Sequence, residues 1–266
     1  MTLLGSSVFA ELVRSLEPYL DEIVFVGGWV QALYVLEAEG RGGRVLRTTD
    51  IDLTLAPSVD RGERQPFLDL LRDAGFRVEA FDDQSGYEVS KDSIEIDLLA
   101  EGSAPGAPVR IEGQPDLRVF GYPNQTLLRT NHRTLWVGAE VDALLETPVG
   151  IRVPTLPAYT LGKLLSSGQR TNPGKQAKDL AYVSELMARE ELATIIIEGL
   201  PNLIAAYPEQ GRSARTWLTS ALDDRRLIER VADQVIESSG FDVRDDTPVR
   251  AQILARLRRL MAEGWG

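Results

Sequence analysis

The chain has 266 residues, 43% of them hydrophobic and 26% charged, with no cysteine and a single histidine, His132. That composition belongs to a globular protein and excludes disulfide frameworks, cysteine-ligated zinc, iron–sulfur clusters, thiol catalysis and histidine-rich metal sites. The net charge of −11, from 40 acidic against 29 basic residues, argues against coating nucleic acid by bulk charge but leaves room for a local basic groove. No apolar run approaches the roughly 20 residues that cross a bilayer. The first twenty residues are amphipathic, carry Glu11 and Glu17, and lack the form of a signal peptide. A cytoplasmic protein without membrane contact is expected.

Residues 6–20 place Val8, Leu12, Leu16 and Leu20 at helical spacing. Residues 23–26, Ile-Val-Phe-Val, read as a short buried strand ended by Gly27 and Gly28, and 29–36 read as a helix. A glycine- and arginine-rich loop at 40–44 precedes a strand at 49–55. A helix at 66–74 is closed by Gly75. Strands are expected at 76–81, 86–90 and 94–99. Residues 101–116, with three prolines and three glycines, read as a loop. Further strands fit 117–121, 134–142 and 149–153, and His132 falls in a loop.

After Pro154 the pattern turns helical, at 157–167, 174–188, 190–206, 212–222, 225–238 and 248–262. Gly199, Pro201 and Pro208 are expected to break the third of these into two pieces. The architecture expected is a mixed α/β domain over residues 1–155, a sheet with flanking helices, followed by an all-helical domain over 156–266.

Two segments carry chemistry. The first is Phe25-Val-Gly-Gly-Trp-Val-Gln-Ala-Leu followed by Arg47-Thr-Thr-Asp-Ile-Asp-Leu. Strand alternation puts Asp50, Asp52 and Thr54 on one face and Ile51, Leu53 and Leu55 on the other. Two carboxylates on one face repel unless a cation or donors neutralise them, and oxygen ligands suit magnesium or manganese. The strand Ser93-Ile-Glu-Ile-Asp-Leu-Leu repeats the pattern, with Glu95 and Asp97 sharing a face. Strand parity does not choose between them as a third carboxylate. A Gly-Gly turn from strand to helix presents backbone N–H groups fit for a triphosphate.

The second segment runs from Pro157-Ala-Tyr-Thr-Leu-Gly-Lys163 through Arg170 to Lys175, Lys178 and Asp179. Only four lysines stand against twenty-five arginines in the whole chain, and three of them are here. The cluster reads either as a positive patch for phosphate or RNA backbone, or as a solvated helical hairpin offset by Asp179. Trp29 is a candidate to line a nucleotide pocket, with core packing the simpler role. Arg250, Arg256, Arg258 and Arg259 could extend an RNA-binding surface, or simply charge a terminal helix.

The order strand, Gly-Gly, helix, Asp-x-Asp strand and later acidic strand resembles the polymerase-β-like nucleotidyltransferase superfamily. The Arg-Thr-Thr-Asp-Ile-Asp-Leu run is closest to AbiEii-type toxin nucleotidyltransferases. Trp29 after Gly28, with no serine after the first glycine, and the long spacer to Asp50 mark a subtype. The resemblance implies that Gly27 and Gly28 contact the triphosphate. It also implies that Asp50, Asp52 and Asp97 bind Mg2+ or Mn2+, with Asp97 as base. It makes Lys163 a catalytic, phosphate-gripping residue. Arg170, Lys178 and Asp179 complete the nucleotide site.

The activity implied is metal-dependent transfer of a nucleoside monophosphate from a nucleoside triphosphate to a hydroxyl. The acceptor would be a tRNA 3′ end, a protein or a small molecule such as an aminoglycoside; the toxin-like resemblance favours RNA or protein, in a toxin–antitoxin or phage-defence setting with an antitoxin partner. The alternative is a non-catalytic protein of the same fold that senses a nucleotide or binds a partner. A nucleotide-sugar glycosyltransferase would need a Rossmann-like series of βα units ahead of the acidic pair, which is absent.

Overall fold

A computed structural model describes residues 7–40, 45–46, 48–83, 85–239 and 247–265. The expected loop at 40–44, apart from Gly40, and Arg47 lie outside the described residues. The chain forms two compact units, one of residues 1–42 and 47–155, the other of 43–46 and 156–266.

The first unit opens with α1 (Val8–Ser15), a 3-10 turn (Glu17–Tyr19), β1 (Ile23–Val26), α2 (Gly28–Glu39), β2 (Asp50–Leu55), α3 (Phe67–Asp73), β3 (Arg77–Ala80), β4 (Tyr87–Lys91) and β5 (Ile94–Glu101). It continues with β6 (Ala107–Arg110), β7 (Arg118–Tyr122), α4 (Gln125–Thr130), β8 (His132–Val137) and β9 (Val149–Pro154). Seven strands make one mixed sheet in the order β1-β2-β5-β4-β3, with β7 also on β5 and β6 on β7. β1 runs antiparallel to β2, whereas β2 and β5 are parallel. The far edge of β5 is shared: Ile94 and Glu95 pair with β4, and residues 99–101 pair with β7. β8 and β9 form a separate antiparallel ribbon.

Alternation decides what each sheet face does. Ile23, Phe25, Ile51, Leu53, Leu55, Ile96 and Leu98 are all buried. α1 and α2 reach that core through Phe9, which packs on Phe25 and stacks on Trp29 at 4.8 Å between ring centroids. Trp29 is therefore a core residue, 1% exposed. On the opposite face Val24, Val26 and Leu99 form a smaller apolar cluster against Phe120 and Leu128, the latter from α4. α4 thus covers the apolar end of this face. Its N-terminus is fixed by the Glu101 carboxylate, which accepts from the Asn124 N–H at 2.9 Å and the Thr126 N–H at 2.6 Å.

Four sequence expectations change in this unit. The loop at 101–116 contains β6, and its Pro108 is tolerated because β6 is an edge strand. α4 has no counterpart in the sequence reading, since six residues are too few to show a period. The strand expected at 134–142 is β8, which begins at His132 and ends at Val137, where the Gly138 N–H turns to the Glu140 carboxylate at 2.6 Å. His132 thus opens a strand, with its Nδ1 2.6 Å from the Arg129 carbonyl oxygen.

The second unit is helical: α5 (Leu156–Gln169), α6 (Pro173–Met187), α7 (Glu190–Ala206), α8 (Pro208–Asp223), α9 (Arg225–Ser239) and α10 (Thr247–Gly264). The break expected in the third helix does not occur, because α7 runs on through Pro201. Its buried residues Leu192, Ala193, Ile196, Leu200 and Leu203 hold one face down on both sides of the proline. At Gly199 a side chain would collide with Pro157, so the close approach of α5 selects glycine there. Among the described residues no helix is long and apolar enough to cross a membrane.

Replacing Glu101 by alanine strips two acceptors from the α4 N-terminus. A loss of about 1–2 kcal/mol is expected, read as a lower urea midpoint with an unchanged m-value.

Candidate active site

The parallel register sets Asp50 beside Glu95 and Asp52 beside Asp97, while β1 places Val26 beside Asp52. All these side chains leave the sheet on the face that α4 only half covers. One carboxylate oxygen each from Asp50, Asp52 and Asp97 lies within 4.8 Å of the others, and all three residues are half-buried. Among the described residues this is the group with the geometry to hold a metal ion. Glu95 is exposed and is not part of it. The structure therefore separates two acids that parity alone left equivalent.

Like charges about 4 Å apart repel by roughly 4 kcal/mol at an effective dielectric of about 20. Something must offset that. Thr48 does part of it by donating its hydroxyl to Asp50 Oδ1, which also fixes the carboxylate's direction. Sequence reading passed over Thr48; the Thr-Thr preceding the acidic pair was its only signal. Three hard oxygen donors in one place fit magnesium or manganese in ligand type.

Gly27 is required twice. Its φ of +73° lies in the region open to glycine, and a Cβ there would overlap the Asp52 carboxylate. The residue after β1 thus makes room for an acid of the cluster, and α2 starts at the next residue, Gly28. The first turn of α2 carries no acidic residue, so the helix dipole and the N–H groups at its start favour an anion.

The second constellation lies within the helical unit. Asp179, from α6, is 2% exposed. Lys163 Nζ donates to its Oδ1 at 2.9 Å, while Arg170 Nε and the Ser166 hydroxyl donate to its Oδ2 at 2.7 and 3.1 Å. α5 runs unbroken through Gly168 to Gln169, one residue short of Arg170, and a Cβ at Gly168 would stand 3.1 Å from Trp217. Lys163 Nζ also lies 4.9 Å from the Tyr182 ring centroid and 5.6 Å from that of Tyr159. Lys178 sits 6.0 Å from the Tyr182 ring, and Lys175 is exposed. Burial pushes the Asp179 carboxyl up, but the charges of Lys163 and Arg170 and their hydrogen bonds outweigh it and hold it below its ordinary value. The four-cation patch read from sequence is thus partly an internal ionic network.

Three of the four C-terminal arginines are also paired. Arg250 meets Glu229 at 3.1 Å, Arg256 meets Glu185 at 3.0 Å, and Arg259 meets Glu190 at 2.6 Å and Glu263 at 3.1 Å. These three brace helices, whereas Arg258 is exposed.

With this geometry in place, the comparison with known families is direct. A nucleotidyltransferase family model matches residues 8–191, more than half of the chain. The chain belongs to that family. The match spans both the acidic cluster and the Lys163–Asp179 network of this nucleotidyltransferase. No curated protein and no solved structure matches it. Family membership implies a nucleoside triphosphate substrate, and the acidic triad of the nucleotidyltransferase fits metal-dependent transfer of a nucleoside monophosphate.

Gly27→Ala is expected to displace the Asp52 carboxylate. Mn2+ affinity measured by calorimetry should fall at least tenfold, while stability drops by about 1–2 kcal/mol from the positive φ.

Asp179→Asn leaves two cations without their counter-charge and is expected to cost about 3 kcal/mol in urea unfolding at pH 7. Because the folded carboxyl lies below its ordinary value of 3.8, its stabilisation is complete above that pH and is lost as pH falls through the folded value. The asparagine variant should lack this acid-side component of unfolding below about pH 4.

Proposed function

We propose that this protein transfers a nucleoside monophosphate from a nucleoside triphosphate to a hydroxyl acceptor, releasing pyrophosphate. The observation that carries this reading is the convergence of Asp50, Asp52 and Asp97 beside a glycine-ended strand and a helix N-terminus. Asp50, Asp52 and Asp97 would hold the divalent cation, Mg2+ or Mn2+. Bound there, it would neutralise charge on the α-phosphate and acidify the attacking hydroxyl.

The chain's own residues do the rest. Thr48 keeps Asp50 pointed at the site. Gly27 leaves space for Asp52. Gly27 and Gly28 at the start of α2 receive the triphosphate on backbone N–H groups. Asp97 takes the proton of the acceptor hydroxyl. The oxygen then bonds to the α-phosphorus as the α–β bridging P–O bond breaks, and pyrophosphate leaves with that bond's electrons.

Lys163, Arg170 and Lys178 are assigned to nucleotide phosphates and Asp179 to organising them. The superfamily resemblance supports this, together with a family match that reaches residue 191. The acceptor we favour is a tRNA 3′ end or a protein side chain. A toxin acting with an antitoxin, or in phage defence, is the setting proposed. Both rest on the likeness of the Arg47–Leu53 run to AbiEii-type enzymes.

The test is transfer of label from each of four α-labelled nucleoside triphosphates to total tRNA or to lysate protein, with Mg2+ or Mn2+. Label should reach one acceptor class with the natural protein, and at least a thousandfold less should reach it with Asp50→Asn/Asp52→Asn. Equal labelling by the double variant would refute the reading.

A further inference from the structure

The sheet face that carries the acids also carries the aromatic residue Phe120, with Phe81 packed against it. Phe120 pairs with Leu99 in the parallel β5–β7 ladder. It therefore leaves the sheet on the same face as Leu99 and Asp97, which lie two residues apart on β5. Its contact with Val24, Val26 and Leu99 confirms that direction. At about 3.3 Å per residue along a strand and about 5 Å between strands, its Cα stands roughly 8 Å from that of Asp97.

Phe120 is not alone. The tip of the β3–β4 hairpin closes with the Phe81 N–H on the Gly86 carbonyl at 3.1 Å. This brings the Phe81 ring to 5.5 Å from that of Phe120, tilted by 57°. Gly86 lies against the same ring, which stands 3.4 Å from where a Cβ would be. Both phenylalanines are half-buried, so neither is fully sealed into the apolar cluster and each keeps some surface accessible.

The surroundings are ordered along the strand. Arg118, exposed, stands two residues before Phe120 on the same face of β7, toward the acidic end of the sheet. Charge for phosphates therefore comes first and aromatic surface second. The separation of acids and rings matches the reach of a nucleotide from its α-phosphate across the ribose to the base. A nucleobase presents an apolar π-face whatever its identity, and stacking on an aromatic side chain is the interaction that uses it.

We propose that Phe81 and Phe120 form the wall on which the base of the bound nucleoside triphosphate stacks, with Arg118 alongside its phosphates. This rests on the nucleotidyl-transfer reading and adds the base subsite to it. A stacking wall without base-edge hydrogen bonds accepts all four bases and holds purines more tightly than pyrimidines, because the larger ring overlaps more.

The test is equilibrium binding to the full chain with Mg2+, using α,β-methylene analogues of the four nucleoside triphosphates and, in parallel, inorganic tripolyphosphate. Tripolyphosphate reads the phosphate and metal groups alone. The natural protein should bind the purine analogues more tightly than tripolyphosphate. Phe81→Leu and Phe120→Leu should each weaken the purine analogues by about tenfold and leave tripolyphosphate unchanged. Phe120→Tyr, which keeps the ring, should retain the affinity that Phe120→Leu loses.

Two results would overturn the wall while leaving the nucleotidyl-transfer reading intact. One is analogues binding no better than tripolyphosphate to the natural protein. The other is the leucine variants losing both ligands equally, which would mark the rings as structural packing. Failure of the natural protein to bind either ligand would overturn both.

Discussion

The constraint on which the site depends is the parallel pairing of β2 with β5. It sets Asp52 directly beside Asp97 and brings Asp50 to the same patch of one sheet face. Nothing in folding favours that arrangement for its own sake, since three carboxylates in one place repel. The structure tolerates it because the other face of the same strands buries Ile51, Leu53, Leu55, Ile96 and Leu98. The register that satisfies the core is also the register that gathers the acids. A slip of one residue would turn the apolar set outward, so hydrophobic burial fixes the chemistry.

The neighbouring elements are arranged around that patch. β1 ends at Gly27 because the Asp52 carboxylate occupies the space a side chain would need. α2 then starts where its N-terminus can face an anion. α4, anchored by Glu101, covers the apolar end of the face and leaves the acidic end uncovered. Phe120, with Phe81 against its ring, pairs with Leu99, two residues beyond Asp97 on β5. One sheet face thus carries acidic, cationic and aromatic surface within a few residues of one another.

The helical unit solves a different electrostatic problem. Asp179 is almost fully removed from water, and it stays ionised because two cations and a hydroxyl converge on it. Such a network fixes the relative placement of α5 and α6 through direction-dependent contacts that apolar packing lacks. Lys163 suits this place because its ammonium sits over two tyrosine rings and still donates to the carboxylate. The bound carboxylate and the arginine–glutamate pairs of α10 absorb much of the positive charge that the sequence shows as a patch.

Much of this was legible in the chain itself. The alternation in β2 and β5, the Gly-Gly after a buried strand and the change to helical periodicity after Pro154 are local patterns, and each reports a local preference directly. That is why the Asp50–Asp52 pair, the flanking helices and the helical end of the chain could be read without a structure. What distant segments decide could not. The choice of Asp97 over Glu95 depends on how β5 sits against β2. Glu101's capping of α4 and the meeting of Phe81 with Phe120 join residues 25 and 39 positions apart in the numbering. The strand hidden in 101–116, the six-residue α4 and the continuity of α7 through Pro201 arise where packing overrides weak or contrary local signals. Composition and periodicity determined the kinds of element and the acids available; only the tertiary structure decided which of those acids share a site, because side-chain convergence is a property of strand neighbours that are remote in the chain.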